Sequence, residues 1–284
     1  MRHQPILSKL ETMLDGIRND SLSFVRSLET TEGEYYGIRM SFFESLSKDQ
    51  ELARMKVFRR YENLHSHMMM LLGNAPESIQ NEYNSVSSSF RAQVNLETGF
   101  LGAEKDPKKR QDSVQSVLEK VQGVIEFLQY ASNEERIIIP DTNSLLISSD
   151  PLRYADIAET NQFIFHLLPT VLSELDALKL NHRNQDSREK AKKAVNRIKG
   201  WRQQGSLNAG VSYHGTITIR ASHEEPDVKN SLAWLDPEVK DDRIIASVLE
   251  IQVKNPAALV ILATSDINLQ NKADAAMIEV LEIS

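Results

Sequence analysis

The sequence predicts two parts: an all-helical N-terminal domain over residues 1–134 and an α/β domain with a mostly parallel central sheet over residues 135–284. Three observations carry this division. Arg136-Ile-Ile-Ile-Pro140 and Ala258-Leu-Val-Ile-Leu-Ala263 are short, continuous apolar runs flanked by helical patterns, as expected of parallel strands buried on both faces. Strand-like and helical stretches alternate after residue 135, the pattern of strands joined by crossover helices. Before residue 131, apolar residues recur almost throughout at helical spacing.

In chain order, Ile6, Leu10, Met13, Leu14 and Ile17 begin a first helix that Leu22, Val25 and Leu28 extend. A second helix runs from about Lys48 to Leu72 through Leu52, Met55, Phe58, Tyr61, Leu64 and Met68. The third, Asp112–Tyr130, carries a broad apolar stripe from Val114 to Leu128. Polar segments at 73–76, 85–89 and 102–110 read as connections, which gives a small bundle or a set of helical hairpins. Residues 132–135 mark the boundary. Strand 136–140 then leads through a helical connection to strand-like Phe163–Leu168. A helix starts at Pro169, where the missing N–H would be unpaired anyway. A basic helix near 187–202 precedes a β-like Thr216–Arg220. A helix from Asp241 to about Val253, strand 258–263 and a final stretch over 272–283 complete the domain.

With 284 residues the chain can bury a sizeable core in two domains. The net charge of −7 argues against a protein that coats nucleic acid, so an anionic substrate must be held by a local patch. The absence of cysteine excludes disulfides, thiolate zinc sites and cysteine nucleophiles. The N-terminus lacks an apolar signal core, and no stretch approaches the roughly 20 apolar residues that span a bilayer. The expected setting is cytoplasmic, with no membrane partner. Neither a Gly-x-x-x-x-Gly-Lys-Ser/Thr loop nor a dinucleotide glycine fingerprint is present, which leaves ATP- and NAD-dependent roles unsupported.

Four acidic positions of the second half lie where an apolar run gives way to polar chain: Asp141, Glu174, the pair Asp241–Asp242, and Asp266. Taken singly, each has an ordinary explanation. An Asp at a helix start is a cap or a dipole partner, an Asp after a strand is a turn residue, and a Glu on a helix is solvated. Together they share one edge of the expected topology, because ligands in open parallel sheets bind beyond the carboxyl ends of the strands. Carboxylates crowded there repel one another unless a divalent cation neutralises them, so the reading is a Mg2+- or Mn2+-binding acidic pocket.

The blocks Asp141-Thr-Asn, Pro169-Thr-Val-Leu-Ser-Glu-Leu-Asp-Ala-Leu-Lys, Asp241-Asp-Arg-Ile-Ile and Thr264-Ser-Asp-Ile-Asn-Leu-Gln-Asn-Lys-Ala resemble the PIN domain family, metal-dependent ribonucleases found in bacterial toxins and RNA-processing factors. The resemblance covers about residues 135–284 and implies a PIN-like three-layer fold. It implies Asp141, Glu174, Asp241 and Asp266 as catalytic metal ligands, with Asp242 able to replace Asp241. Asn143, Thr264 and Asn268 would support the pocket. One ion, or two about 4 Å apart, would then serve hydrolysis of RNA to a 5′-phosphate and a 3′-hydroxyl. Residues 1–134 lie outside the resemblance.

A basic cluster on the helix near 187–202 is open to two readings. Lys192, Lys193 and Arg197 could follow an RNA backbone while Trp201 stacks on a base, or the helix is simply solvated with a docking Trp. The resemblance favours RNA contact. Lys108, Lys109 and Arg110 read as a solvated turn, and Met68-Met-Met70 as packing. His65 and His67, two residues apart, point to different sides of a helix and make a poor zinc pair.

The leading function is therefore an Mg2+/Mn2+-dependent endoribonuclease acting as a toxin, an RNA-processing factor or a defence nuclease. A phosphatase with an Asp nucleophile after the first strand would need a second Asp two residues on, where Asn143 stands. The alternative is a catalytically weak PIN scaffold for protein interaction, in which the helical domain binds a partner or a second copy of the chain.

Overall fold

The computed structural model describes residues 4–35, 38–96, 106–130, 135–158, 160–181 and 184–283. The chain forms two compact units, residues 7–131 and residues 132–284 together with the first six. Of the expected boundary segment 132–135, only Glu135 is among the described residues.

The first unit is mostly helical: α1 (Ile6–Ser27), α2 (Lys48–Leu71), α3 (Glu77–Val94) and α4 (Pro107–Tyr130). Their apolar stripes supply its core, with Leu10, Leu14 and Ile17 of α1, Tyr61 and Leu64 of α2, and Leu118 and Ile125 of α4 all fully buried. α2 starts at a capping box, where the Ser47 hydroxyl accepts from Gln50 N and the Gln50 side chain returns to Ser47 N. Three expectations need correction. An antiparallel hairpin, β1 (Thr30–Tyr35) and β2 (Ile38–Phe43), interrupts the helices. Its first strand reads Thr-Thr-Glu-Gly-Glu-Tyr, which has no apolar alternation to announce it. The serine run 85–89 is helical, not a connection, because Tyr83, Val86, Phe90 and Val94 keep the buried face at helical spacing. Arg110 is not a solvated turn residue. It lies fully buried in α4, donates to the Val25 and Leu28 carbonyls, and sits 4.8 Å from the Phe43 ring. Residues 102–105 of that expected connection lie outside the described residues.

The second unit is built on a six-stranded sheet. In chain order its strands are β3 (Arg136–Pro140), β4 (Phe163–Leu167), β5 (Val211–Tyr213), β6 (Ile217–Ala221), β7 (Leu259–Ala263) and β8 (Glu279–Leu281). The spatial order is β5-β6-β4-β3-β7-β8, parallel except for the β5–β6 pair. β4 and β3 are the central strands, β3 and β7 are the most apolar, and all five residues of β7 are buried. Short helices α5 (Thr142–Ile147) and α6 (Pro151–Ala158) form the connection after β3. The longer helices are α7 (Pro169–Asn181), α8 (Gln185–Gln204), α9 (Lys240–Lys254) and α10 (Ile267–Ala275).

Successive strand residues point to opposite faces. Phe165 meets Trp201 of α8 edge to face, whereas its neighbour His166 shares a cavity with Ser247 and Ile251 of α9. α8 and α9 thus cover opposite faces, and the unit is a three-layer α/β domain. Strands β5 and β8 carried too few residues to show as apolar runs. Among the described residues no helix is long and apolar enough to cross a membrane.

Candidate functional site

β3 and β7 are hydrogen-bonded neighbours in parallel, with Pro140 opposite Ala263. The residues that follow them therefore leave the sheet side by side. Asp141 caps α5, its Oδ1 accepting from Ser144 N at 2.6 Å. Asp266 caps α10 in the same manner, accepting from Asn268 N at 2.8 Å and Leu269 N at 3.2 Å. Thr264 links the two: its hydroxyl donates to Asp141 Oδ2 at 2.6 Å and accepts from Asp266 N at 3.0 Å. The Ser144 hydroxyl donates to the Ala263 carbonyl at 2.8 Å and ties α5 back to β7.

Beyond this edge lies a cavity of about 320 Å³, and Asp141, Glu174, Asp241 and Asp266 all line it. Four carboxylates from four separate elements share one cavity. Asn143 lines it as well. Asn268 is exposed and joins through its backbone alone. Thr264 is fully buried behind Asp141.

Two adjacent aspartates part company at the start of α9. Asp241 is half-exposed and lines the cavity. Asp242 is buried, accepts from Asp236 N at 3.0 Å and pairs with Lys272 at 2.6 Å. Of the pair it is Asp241 that lines the cavity, while Asp242 fastens α9 to the preceding loop and to α10.

Several side chains here carried no expectation from sequence. The Thr142 hydroxyl donates to Glu174 Oε2. Lys240 Nζ lies 3.3 Å from Glu174 Oε1, and Lys272 Nζ lies 3.6 Å from Asp241 Oδ2. Thr142 and Ser144 adjoin Asp141, Lys240 precedes Asp241, and Lys272 stands in the last quoted block. Proximity to the acidic blocks was thus the available signal.

Burial raises the pKa of Asp141 above the usual carboxylate range. The Thr264 hydroxyl and the Ser144 N–H pull the other way, and the charge of Asp266 adds to the rise. Tyr154, buried behind the site, is likewise pushed up by burial and by Asp141. For Lys272 burial works against the charge, but the pairing with Asp242 and Asp241 outweighs it and its pKa rises. The oxygen donors suit a hard divalent cation. Among the described residues, no three His, Cys, Asp or Glu side chains are disposed to hold one ion as they stand. Their current partners explain this: Glu174 is turned to Thr142 and Lys240, and Asp241 faces Lys272.

The basic helix is not part of this cavity. Lys192 and Lys193 are exposed on α8, and Arg197 pairs with Asp150 at 3.4 Å. Trp201 is only 3 % exposed and packs between Phe165 and Tyr213, at 6.3 and 5.9 Å. It is a core residue and cannot stack on a base, which corrects that expectation. A Trp at helical spacing with Ala194 and Ile198 belongs to the apolar face of its helix.

No curated protein shows a significant match to the chain. Residues 138–284, more than half of the sequence and the whole of the α/β unit's sheet beyond its first two residues, match the model of the PIN domain, whose members are in general nucleases that use divalent metals, and the chain belongs to that family.

Proposed function

We propose that the protein is an endoribonuclease that hydrolyses phosphodiester bonds at the acidic cavity with Mg2+ or Mn2+ as cofactor. The observation that carries the reading is the convergence of Asp141, Glu174, Asp241 and Asp266 on one cavity. A divalent cation held there would supply Lewis acidity to the phosphodiester and a more acidic water as nucleophile. Asp141 anchors the set, since Thr264 and Ser144 fix both of its oxygens. Each carboxylate oxygen has two lone pairs, so an oxygen that accepts one hydrogen bond can still ligate. Asp266 is held through Oδ1 alone, while Glu174 and Asp241 complete the set by turning from their lysines. Lys240, exposed and released from Glu174, is then placed to pair with a substrate phosphate. Attack by water rather than by a ribose 2′-hydroxyl leaves a 5′-phosphate and a 3′-hydroxyl.

RNA as substrate rests on the family resemblance and on the exposed Lys192 and Lys193 of α8. A role as toxin, processing factor or defence enzyme fits the same chemistry, and the helical unit is open to binding a partner protein or a second copy. The lysine pairing of Glu174 and Asp241 favours a second reading, a catalytically weak scaffold that uses this pocket for regulation. Cleavage of a labelled single-stranded RNA with Mg2+ or Mn2+ separates the two. The nuclease reading predicts that Asp141→Asn lowers the rate at least about 100-fold, or about 2.7 kcal/mol of transition-state stabilisation. Equal rates in both proteins, or none in either with both metals, support the scaffold.

A further inference from the structure

Among the described residues that line the acidic cavity, Lys240 is the sole cation, set among Asp141, Glu174, Asp241 and Asp266. It is the first residue of α9, where a positive charge opposes the helix dipole and where Asp241 and Asp242 already supply the favourable charge. Helix stability therefore does not account for a lysine at this position. Its Nζ lies 3.3 Å from Glu174 Oε1, with the lysine side chain 64 % exposed and the glutamate 22 %. A pair this open is weak and readily exchanged.

Lys272 is the contrast. It stands in the last turn of α10, where a cation suits the dipole, and it holds the buried Asp242 at 2.6 Å. Its 3.6 Å approach to Asp241 is the longer of its two pairings, so Asp241 can turn away and leave Lys272 paired. Among the described residues Lys240 has no second carboxylate to hold it. Glu174 is also held differently at its two oxygens: Thr142 donates to Oε2, and Lys240 occupies Oε1. With Thr142 keeping the side chain in place, Oε1 is the oxygen that can change partners.

We propose that Lys240 is the cavity's built-in counter-ion, which competes with a divalent cation for Glu174 and couples the binding of that cation to the binding of a phosphate. The inference rests on the nuclease reading and adds regulation to the same site. Without a cation, Lys240 offsets part of the repulsion among the four carboxylates. With one bound, Lys240 gives up Oε1 and leaves an ammonium whose donors lack an acceptor. A phosphate that takes up Lys240 removes the competitor for Glu174, so phosphate and cation strengthen each other's binding by the same factor. Lys272, fixed by Asp242, takes no part in the exchange.

The test measures free Mn2+ by electron paramagnetic resonance in titrations of the full chain, with and without adenosine 5′-monophosphate, which carries a phosphate but no phosphodiester to hydrolyse. We expect Lys240→Gln to bind Mn2+ about threefold more tightly than wild type, the scale of one exposed ion pair. In a Glu174→Gln background the same change should gain little, because the contested carboxylate is gone. Lys240→Arg, which keeps the charge, should bind Mn2+ no more tightly than wild type. Lys229→Gln, the same loss of charge outside the cavity, should leave the affinity unchanged. The mononucleotide should tighten Mn2+ binding about threefold more in wild type than in Lys240→Gln. Equal Mn2+ affinity in wild type and Lys240→Gln, as large a gain from Lys229→Gln, or equal coupling to the mononucleotide in both proteins would overturn the proposal. If Asp141→Asn still weakened Mn2+ binding in that case, the nuclease reading would stand without it. Mn2+ binding indifferent to Asp141→Asn would sink the nuclease reading and this inference together.

Discussion

Two cavities of the α/β unit lie on one sheet and differ in charge: one is lined by four carboxylates with Lys240, the other by His166 with the cations Arg220 and Lys254 and the carboxylates Glu224 and Glu250. At the β3–β7 edge, carboxylates from four elements face one space and each has a partner in Thr264, Lys240, Lys272 or a helix N-terminus. At the β4–β6 end, Arg220, without an ion pair or hydrogen bond among the described residues, lies beside His166, whose pKa is held down by burial and by the charges of Arg220 and Lys254. One site is an acidic set whose lysine partners can be displaced, and the other carries two cations, Arg220 and Lys254, with two carboxylates, Glu224 and Glu250. Strand order produces both. Neighbouring parallel strands place residues of like position together, so whatever follows β3 and β7 converges, and whatever pairs in register on β4 and β6 lies side by side.

The sharpest way to break this comparison is the adjacent pair at the start of α9. Asp241→Ala should lower RNA cleavage about 100-fold while changing stability by no more than about 0.5 kcal/mol, as expected for a half-exposed ion pair. Asp242→Ala should do more damage to the fold than to the chemistry. It strips the buried acceptor from Asp236 N and the counter-ion from Lys272, a loss of about 2–3 kcal/mol in a urea melt. If Asp241→Ala unfolded the domain and Asp242→Ala abolished cleavage in a native fold, their assignments would be reversed.

A smaller effect concerns Asp141 itself. Its pKa is raised on folding, so the ionised form is the disfavoured one, and the cost is present above the folded pKa and absent below the unfolded one. Without divalent cation, Asp141→Asn should raise the melting temperature by a few degrees at pH 7, with the gain fading as pH falls through about 4, the ordinary carboxylate range. Added Mn2+ should stabilise the wild type and not the variant. The smallest effect belongs to α8. Lys192→Ala with Lys193→Ala should weaken RNA binding by an amount that shrinks with salt, reducing the salt slope by about one per lysine that touches phosphate. No change in slope would remove α8 from the interface.

Much of this was legible in the sequence, for physical reasons that also explain the misses. The β3 and β7 runs are apolar because the strands are buried on both faces, and the acidic residues after them are visible as the first polar chain. The choice between Asp241 and Asp242 was not legible, because a helix start offers both positions and only the loop carrying Asp236 and the approach of Lys272 decide which is turned inward. Arg110 and Trp201 were misplaced for a related reason. Charge and aromatic type suggest exposure or stacking, but the fold satisfies the guanidinium with two carbonyls and the indole with two rings. The cavity at Arg220 was invisible, since it depends on register between β4 and β6. The hairpin at Thr30–Phe43 lacked an alternating pattern on its first strand.

The central claim is that oxygen donors distant in sequence share one hard cation, and paramagnetic broadening by Mn2+ tests it most directly. The account predicts that substoichiometric Mn2+ broadens the backbone amides of Thr142, Ser144, Asp241 and Leu269 before any others, and that Asp141→Asn together with Asp266→Asn abolishes the effect. Broadening scattered over the surface, or unchanged in the double variant, would contradict it.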